Sequence, residues 1–170
     1  KERKNESIKT IIDNSNIQNI PNTNDIGFII GPQLNSASRI DDSSLPSKLL
    51  ISNDSVEIEK ISKKLFLLNE KRKLIENNIF EKAINQAIIE QNEKFILVYG
   101  DDWHHGVLGI IASKLVDKFY KPSFVMSFEN NIGIGSARSI KSIDIGTMIL
   151  NAKNSKILDS GGGHKMAAGF

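Results

Sequence analysis

The 170-residue sequence contains no cysteine. That excludes disulfides, thiolate metal sites and a cysteine nucleophile, and it fits a cytoplasmic setting. No apolar run approaches the roughly 20 residues that a membrane-crossing helix needs. The opening Lys1-Glu2-Arg3-Lys4-Asn5 has neither an initiating Met nor a signal-type apolar core behind it. The close at Ala167-Ala168-Gly169-Phe170 is equally abrupt, so a piece of a longer polypeptide is expected. Aromatic residues make up only 6%, leaving Leu, Ile and Val to fill most of any core. Neither sign of charge dominates: the net charge of +2 gives no general positive field. Nucleic-acid contacts would have to come from a few placed cations.

What is present is a soluble globular composition, 39% hydrophobic and 25% charged, sufficient for one domain or parts of two. Three regions separate by pattern. Residues 1–54 are rich in Asn and Ser, with apolar clusters at Ile8, Ile11 and Ile12, at Ile26, Phe28, Ile29 and Ile30, and at Leu45, Leu49 and Leu50. This spacing predicts short helices joined by turns. The Gly31-Pro32 step is expected to end one helix and begin an extended segment.

Residues 55–92 contain neither Gly nor Pro. Asp54 with Glu57 forms a capping pair, and Ile58, Ile61, Leu65, Leu68, Ile75 and Ile79 follow three–four spacing, interrupted by Arg72. The pattern predicts one helix of about 55 Å. That length suits a connector between two lobes, with a coiled-coil or bundle helix as the other reading.

Residues 93–170 change character. Strands are predicted at 95–99, 122–128 and 132–140, and helices at 106–120 and from the cap Asp144 to about Ala152. Strand, helix and strand in that order define an α/β unit with a mixed or parallel sheet.

Four motifs carry chemistry, each with a structural reading beside the functional one. In Gly31-Pro-Gln-Leu-Asn-Ser-Ala-Ser-Arg39, Arg39 offers a fork for a phosphate, or simply braces the segment with Asn35. In Trp103-His104-His105-Gly106, His104 stands at a helix start, where free N–H groups favour anions; it could equally serve as a cap beside a core Trp103. Adjacent histidines make a poor metal site, because their side chains diverge. In Gly133-Ile-Gly-Ser-Ala-Arg138-Ser139, Ser136 and Arg138 alternate onto one strand face as a phosphate grip, against a β-bulge with an incidental Arg. In Gly161-Gly-Gly-His164-Lys-Met-Ala-Ala-Gly169, Gly162 and Gly163 are expected in a loop with positive φ and a concave row of N–H groups, to which His164 adds a donor, against a plain flexible loop of the same composition.

Taken in order, these motifs resemble the RecJ branch of the DHH phosphoesterase family. "GPQLNSASRI" is similar to the family pattern GPRLNAAGR, and "WHHGVLGIIASKL" to WHxGVxGIxASRL. "GIGSARSI" and "GGGHKMAAGF" are similar to the closing motifs of the DHH-associated domain. The resemblance implies an α/β fold in which residues 1–54 are the helical tail of a DHH catalytic domain. Residues 55–92 would be the inter-lobe helix, and 93–170 a mixed-sheet DHH-associated domain, incomplete at its C-terminus. It implies part of a metal-dependent 5′-to-3′ exonuclease on single-stranded DNA, acting in repair and recombination. The Mn²⁺ or Mg²⁺ ligands would lie in an upstream DHH domain of the same or a split polypeptide, leaving no catalytic or metal-binding residue here. Arg39, Ser136 and Arg138 would hold a 5′-phosphate; His104, Gly162, Gly163 and His164 would line the cleft. Gln33 replaces the family's Arg, removing a cation from the DNA path; Ser38 replaces a Gly; His105 is given no role. Two other readings stand beside this one. One is a DHH-family phosphodiesterase for short oligonucleotides or cyclic dinucleotides, disfavoured by the Gly-Pro motif and long helix. The other is a non-catalytic nucleic-acid-binding module from a split gene.

Overall fold

The computed structural model describes residues 5–15, 17, 20–89 and 93–170. The chain divides into two compact units, 1–74 and 75–170.

The first unit is helical. Helix α1 (Glu6–Asn14) is capped by Asn5, whose side chain accepts from the Ile8 N–H at 3.0 Å, and it buries Ile11 and Ile12. Residues 23–40 are then helical throughout, as α2 (Thr23–Asp25), a π-helical turn at Ile26–Ile30, and α3 (Gly31–Ile40). The Gly31-Pro32 step therefore starts α3, instead of breaking the chain into an extended segment. Proline is accepted because a helix's first turn does not need its N–H. The residue before it keeps helical angles, φ −59° and ψ −50°, because Gly31 has no Cβ to strike the proline ring. Helix α4 (Leu45–Ile51) adds Leu45 and Leu49, and the Ser7 hydroxyl donates to the Leu49 carbonyl at 2.6 Å.

Helix α5 runs over Ser55–Ile89; its expected end at 92 lies outside the described residues. Asp54 does cap it, accepting from the Val56 N–H at 2.9 Å, while Glu57 turns to the Ser52 hydroxyl at 2.6 Å. Ile58, Ile61, Leu65 and Leu68 enter the core of the first unit. Ile79, Ala83 and Ala87 enter that of the second. Arg72, the break in the apolar stripe, is itself buried, and its Nε donates to Asn69 Oδ1 at 3.2 Å. Glu76 is buried too and is paired with Lys114. Charged groups tolerate such burial only when partnered.

The second unit is a five-stranded mixed sheet in the order β1-β2-β3-β5-β4, formed by Ile96–Asp101, Ser123–Glu129, Ile132–Arg138, Gly162–His164 and Ala167–Gly169 as β1 to β5. Only β1 and β2 are parallel. They are joined by α6 (His105–Phe119), the crossover that a parallel pair requires. Val107, Leu108, Ile111, Ala112 and Leu115 of α6 pack with Ile96, Val98 and Val125 on one sheet face. On the other face α7 (Ile145–Asn154) packs Ile145 and Ile149 with Ala137, Ala168, Phe124 and Phe170. The outer edge of β1 is closed by a side chain: the Gln86 amide donates to the Tyr99 carbonyl at 2.7 Å and accepts its N–H at 2.9 Å, standing in for a neighbouring strand.

Asp144 caps α7 by accepting from the Thr147 N–H at 3.0 Å, and that bond holds its carboxyl below the usual range. With a folded pKa under the unfolded one, the contribution is present above the unfolded value and is lost as pH falls through the folded one. Asp144→Asn keeps an acceptor but removes the titration. Its melting temperature is expected to fall less steeply than wild type's below about pH 4; parallel curves would contradict this role.

Candidate functional site

Strand register assembles the site. Arg138 pairs with Ala167, and Ala167 with His164. One step along, Ser136 pairs with Gly169, and Gly169 with Gly162. Residues paired across antiparallel strands project to the same side. Both rows continue into residues under α6, Arg138 with Ser123 and Ser136 with Val125. Arg138, Ser136, Gly162 and His164 therefore lie on the α6 face of the sheet. Arg138 and His164 are two strand spacings apart, about 10 Å.

Between them the floor is made of Ala167, Gly169 and Gly162. A Cβ added at Gly162 would meet nothing within 4 Å. The result is a shallow shelf with no bulky side chain on it, a guanidinium and a hydroxyl along one side and an imidazole on the other. Arg138 is half-buried, and its Nη1 donates to the Ala137 carbonyl at 2.9 Å. His164 is exposed, and its Nδ1 accepts the Met166 N–H at 3.3 Å. A neutral imidazole accepting at Nδ1 carries its proton on Nε2, so His164 presents a donor outward. The shelf thus offers donors that suit an anion such as phosphate, and Asp144 and Lys165 line the hollow that Gly162 and His164 share with α7.

The glycine segment is not the loop its composition suggests. Gly162–His164 is strand β4, and no described glycine has positive φ. Glycine is needed there for room: a Cβ on Gly163 would stand 2.3 Å from the Ala167 carbonyl oxygen and 2.5 Å from the Ala168 Cα. Gly163 pairs with Ala168 and so belongs to the α7 face, away from the shelf.

His104 is the N-cap of α6, its Nδ1 accepting the Gly106 N–H at 3.2 Å. It lines a separate hollow of about 290 Å³ with Trp103, His105 and the carboxylates Asp102 and Glu129. Trp103 is buried, its indole lying against Gly100. Arg39 belongs to the other unit, half-exposed on the last turn of α3.

Two positions that were assigned no role from the sequence shape the shelf. Gly109 of α6 lies against the Arg138 guanidinium, and Gly146 of α7 lies against the His164 backbone, at 2.8 Å from its carbonyl carbon for an added Cβ. A glycine kept inside an amphipathic helix was the available signal, since alanine would favour the helix.

Among the described residues no group of three or more His, Asp or Glu side chains is placed to hold a metal. His104 and His164 each have Nδ1 occupied by a backbone N–H. No described helix is long and apolar enough to cross a membrane.

Residues 92–170 match the model of the DHHA1 domain. Beyond that domain, the chain is related over most of its length to the RecJ exonucleases. It is 37% identical over 154 residues to the single-stranded-DNA-specific exonuclease RecJ of Bacillus subtilis, covering 88% of this chain and 19% of that protein. To the RecJ of Haemophilus influenzae it is 33% identical over 166 residues, covering 92% and 28%. The crystal structure of Thermus thermophilus RecJ in complex with Mg²⁺ superposes with a TM-score of 0.84 at 28% identity, over 97% of this chain and 25% of that one. A second Thermus structure, with Mn²⁺, gives 0.85 at 27% identity, over 97% and 24%. The chain thus spans 19% to 28% of the length of these two curated relatives.

Proposed function

We propose that this chain is the substrate-gripping part of a metal-dependent single-stranded-DNA exonuclease, with the Arg138–Ser136–His164 shelf receiving the 5′-terminal phosphate. The observation that carries the reading is the register itself, which sets three phosphate-compatible donors around a floor of Gly and Ala. A terminal phosphate brings more charge than an internal one, so charge-assisted donors favour a strand end over the middle of a strand. In the whole enzyme, residues 1–54 would complete a DHH domain, 55–92 would connect the lobes, and 93–170 would supply the shelf. Arg39 and His104 would contact the strand beyond its terminal phosphate, with Gly162 keeping the path clear and Gly163 allowing the close strand pairing that holds it in place. Mn²⁺ or Mg²⁺ and the water it activates would be held by the upstream DHH domain. Degradation would run 5′ to 3′ in cytoplasmic DNA repair and recombination.

The test pairs binding with chemistry on the purified chain. Oligothymidylates bearing a 5′-phosphate should bind more tightly than the same strands with a 5′-hydroxyl. Added Mn²⁺ should release no nucleotides, since two-metal hydrolysis needs clustered carboxylates and histidines. Equal affinity for the two strands would refute the terminal-phosphate reading. Metal-dependent release would show that hydrolysis does not depend on the upstream domain.

A further inference from the structure

Gly109 occupies the interior of α6, between Leu108 and Ile110, in a helix whose neighbours Leu108, Ile111 and Ala112 are fully buried. Glycine there weakens a helix by about 0.5–1 kcal/mol relative to alanine. No backbone requirement offsets this, because Gly109 does not have positive φ. What its missing side chain makes room for is specific. An added Cβ would stand 2.7 Å from Arg138 Nη2, 3.3 Å from Cζ and 3.6 Å from Nη1, and these three guanidinium atoms are its nearest neighbours. The cost of glycine in this helix thus coincides with a seat for one charged side chain, on the strand facing it.

We propose that Gly109 is a positioning residue for Arg138. The bare helix backbone leaves room for the guanidinium against α6, Nη2 nearest, with Nη1 bonded to the Ala137 carbonyl. A fork held in one orientation loses less freedom on meeting a phosphate than one that swings through solvent. This inference rests on the reading of Arg138 as the phosphate contact, but the seat itself can be measured apart from any ligand.

The obstruction created by Gly109→Ala falls on the far end of a flexible side chain, not on backbone. The fold should therefore survive while the guanidinium is displaced by several tenths of an ångström. Three measurements on the chain separate the outcomes. Thermal unfolding of Gly109→Ala should be unchanged or shifted upward, because alanine favours the helix. The Arg138 Nε–H resonance, assigned by its loss in Arg138→Lys, should move in Gly109→Ala. Affinity for a 5′-phosphorylated oligothymidylate should drop about fivefold to tenfold, as expected for a misdirected charge-assisted bond, with the 5′-hydroxyl strand unaffected. In an Arg138→Ala background, Gly109→Ala should have no further effect on binding.

An unmoved Nε–H resonance overturns the seat, whatever binding does. A lowered melting temperature, or the same binding loss without Arg138, makes Gly109 a packing glycine and overturns it equally. If the resonance moves while Arg138→Ala leaves the phosphate preference intact, the seat stands and the phosphate reading of Arg138 fails.

Discussion

Arg138→Ala is expected to weaken binding of a 5′-phosphorylated single strand by about 1.5–3 kcal/mol, the range for a hydrogen bond to a charged group, or roughly 10- to 150-fold. Its guanidinium is half-buried against Gly109, on the same sheet face as Ser136 and His164. Losing it also removes one phosphate contact, so the dependence of log K on log salt should flatten by about 0.7. The comparison that decides its role uses 5′-phosphorylated and 5′-hydroxyl strands side by side. A loss confined to the phosphorylated strand marks a terminal-phosphate contact. An equal loss on both marks a general backbone contact, and no loss on either leaves Arg138 bracing α6 against β3.

The largest effect on stability is expected from two neighbouring glycines treated alike. Gly163→Val drives a side chain into the paired strand, where the first atoms met are the Ala167 carbonyl oxygen at 2.3 Å and the Ala168 Cα at 2.5 Å. Backbone held in a sheet ladder cannot retreat as a side chain can. The cost should reach or exceed the roughly 3 kcal/mol at the upper end of ordinary overpacking. For a unit of this size that lowers the melting temperature by on the order of 10 °C or more. Gly162→Val should leave stability unchanged or improve it, since its Cβ meets open space and valine favours a strand. It should nonetheless impair binding of the phosphorylated strand, because the new side chain stands on the shelf floor. Calorimetric melts of the two variants check the first point; equal melting temperatures would mean that β4 is not packed as described.

Much of the architecture follows from local rules that act within a few residues. The apolar run before Gly100 forms β1, and the three–four stripe from Ile58 to Ile79 forms α5. Asp144 was legible as a cap because an Asx side chain reaches the N–H three residues on. The same logic failed at Gly31-Pro32, where the rule that disfavours helix before proline competes with the acceptance of proline in a first turn. The preceding π-helical turn, whose Gly31 N–H bonds to the Ile26 carbonyl, carried the helix through. It failed again at 161–169. Strands of three residues built from Gly, His and Ala have no periodicity to read and differ from a loop only through their partners.

For the site, the sequence by itself determined which side chains are available: Ser136 and Arg138 alternating on one strand, His164 after three glycines, His104 at a helix start. It also determined that no thiolate takes part. Tertiary structure alone decided which of them meet. The pairing of β3 with β5 joins residues more than 25 positions apart in the chain, and the local pairing of β5 with β4 then sets Arg138 and His164 in one row. The same pairing turns Gly163 to the opposite face, and the crossing of α6 over β3 brings Gly109 under the guanidinium. Register fixes these relations because side chains alternate with a period of two, so a slip of one residue would send Arg138 to the α7 face. That choice is made by burial of Ala137 and Ala168 against Ile145 and Ile149, a packing energy spread over three segments, β3, α7 and β5, and written in none of them singly.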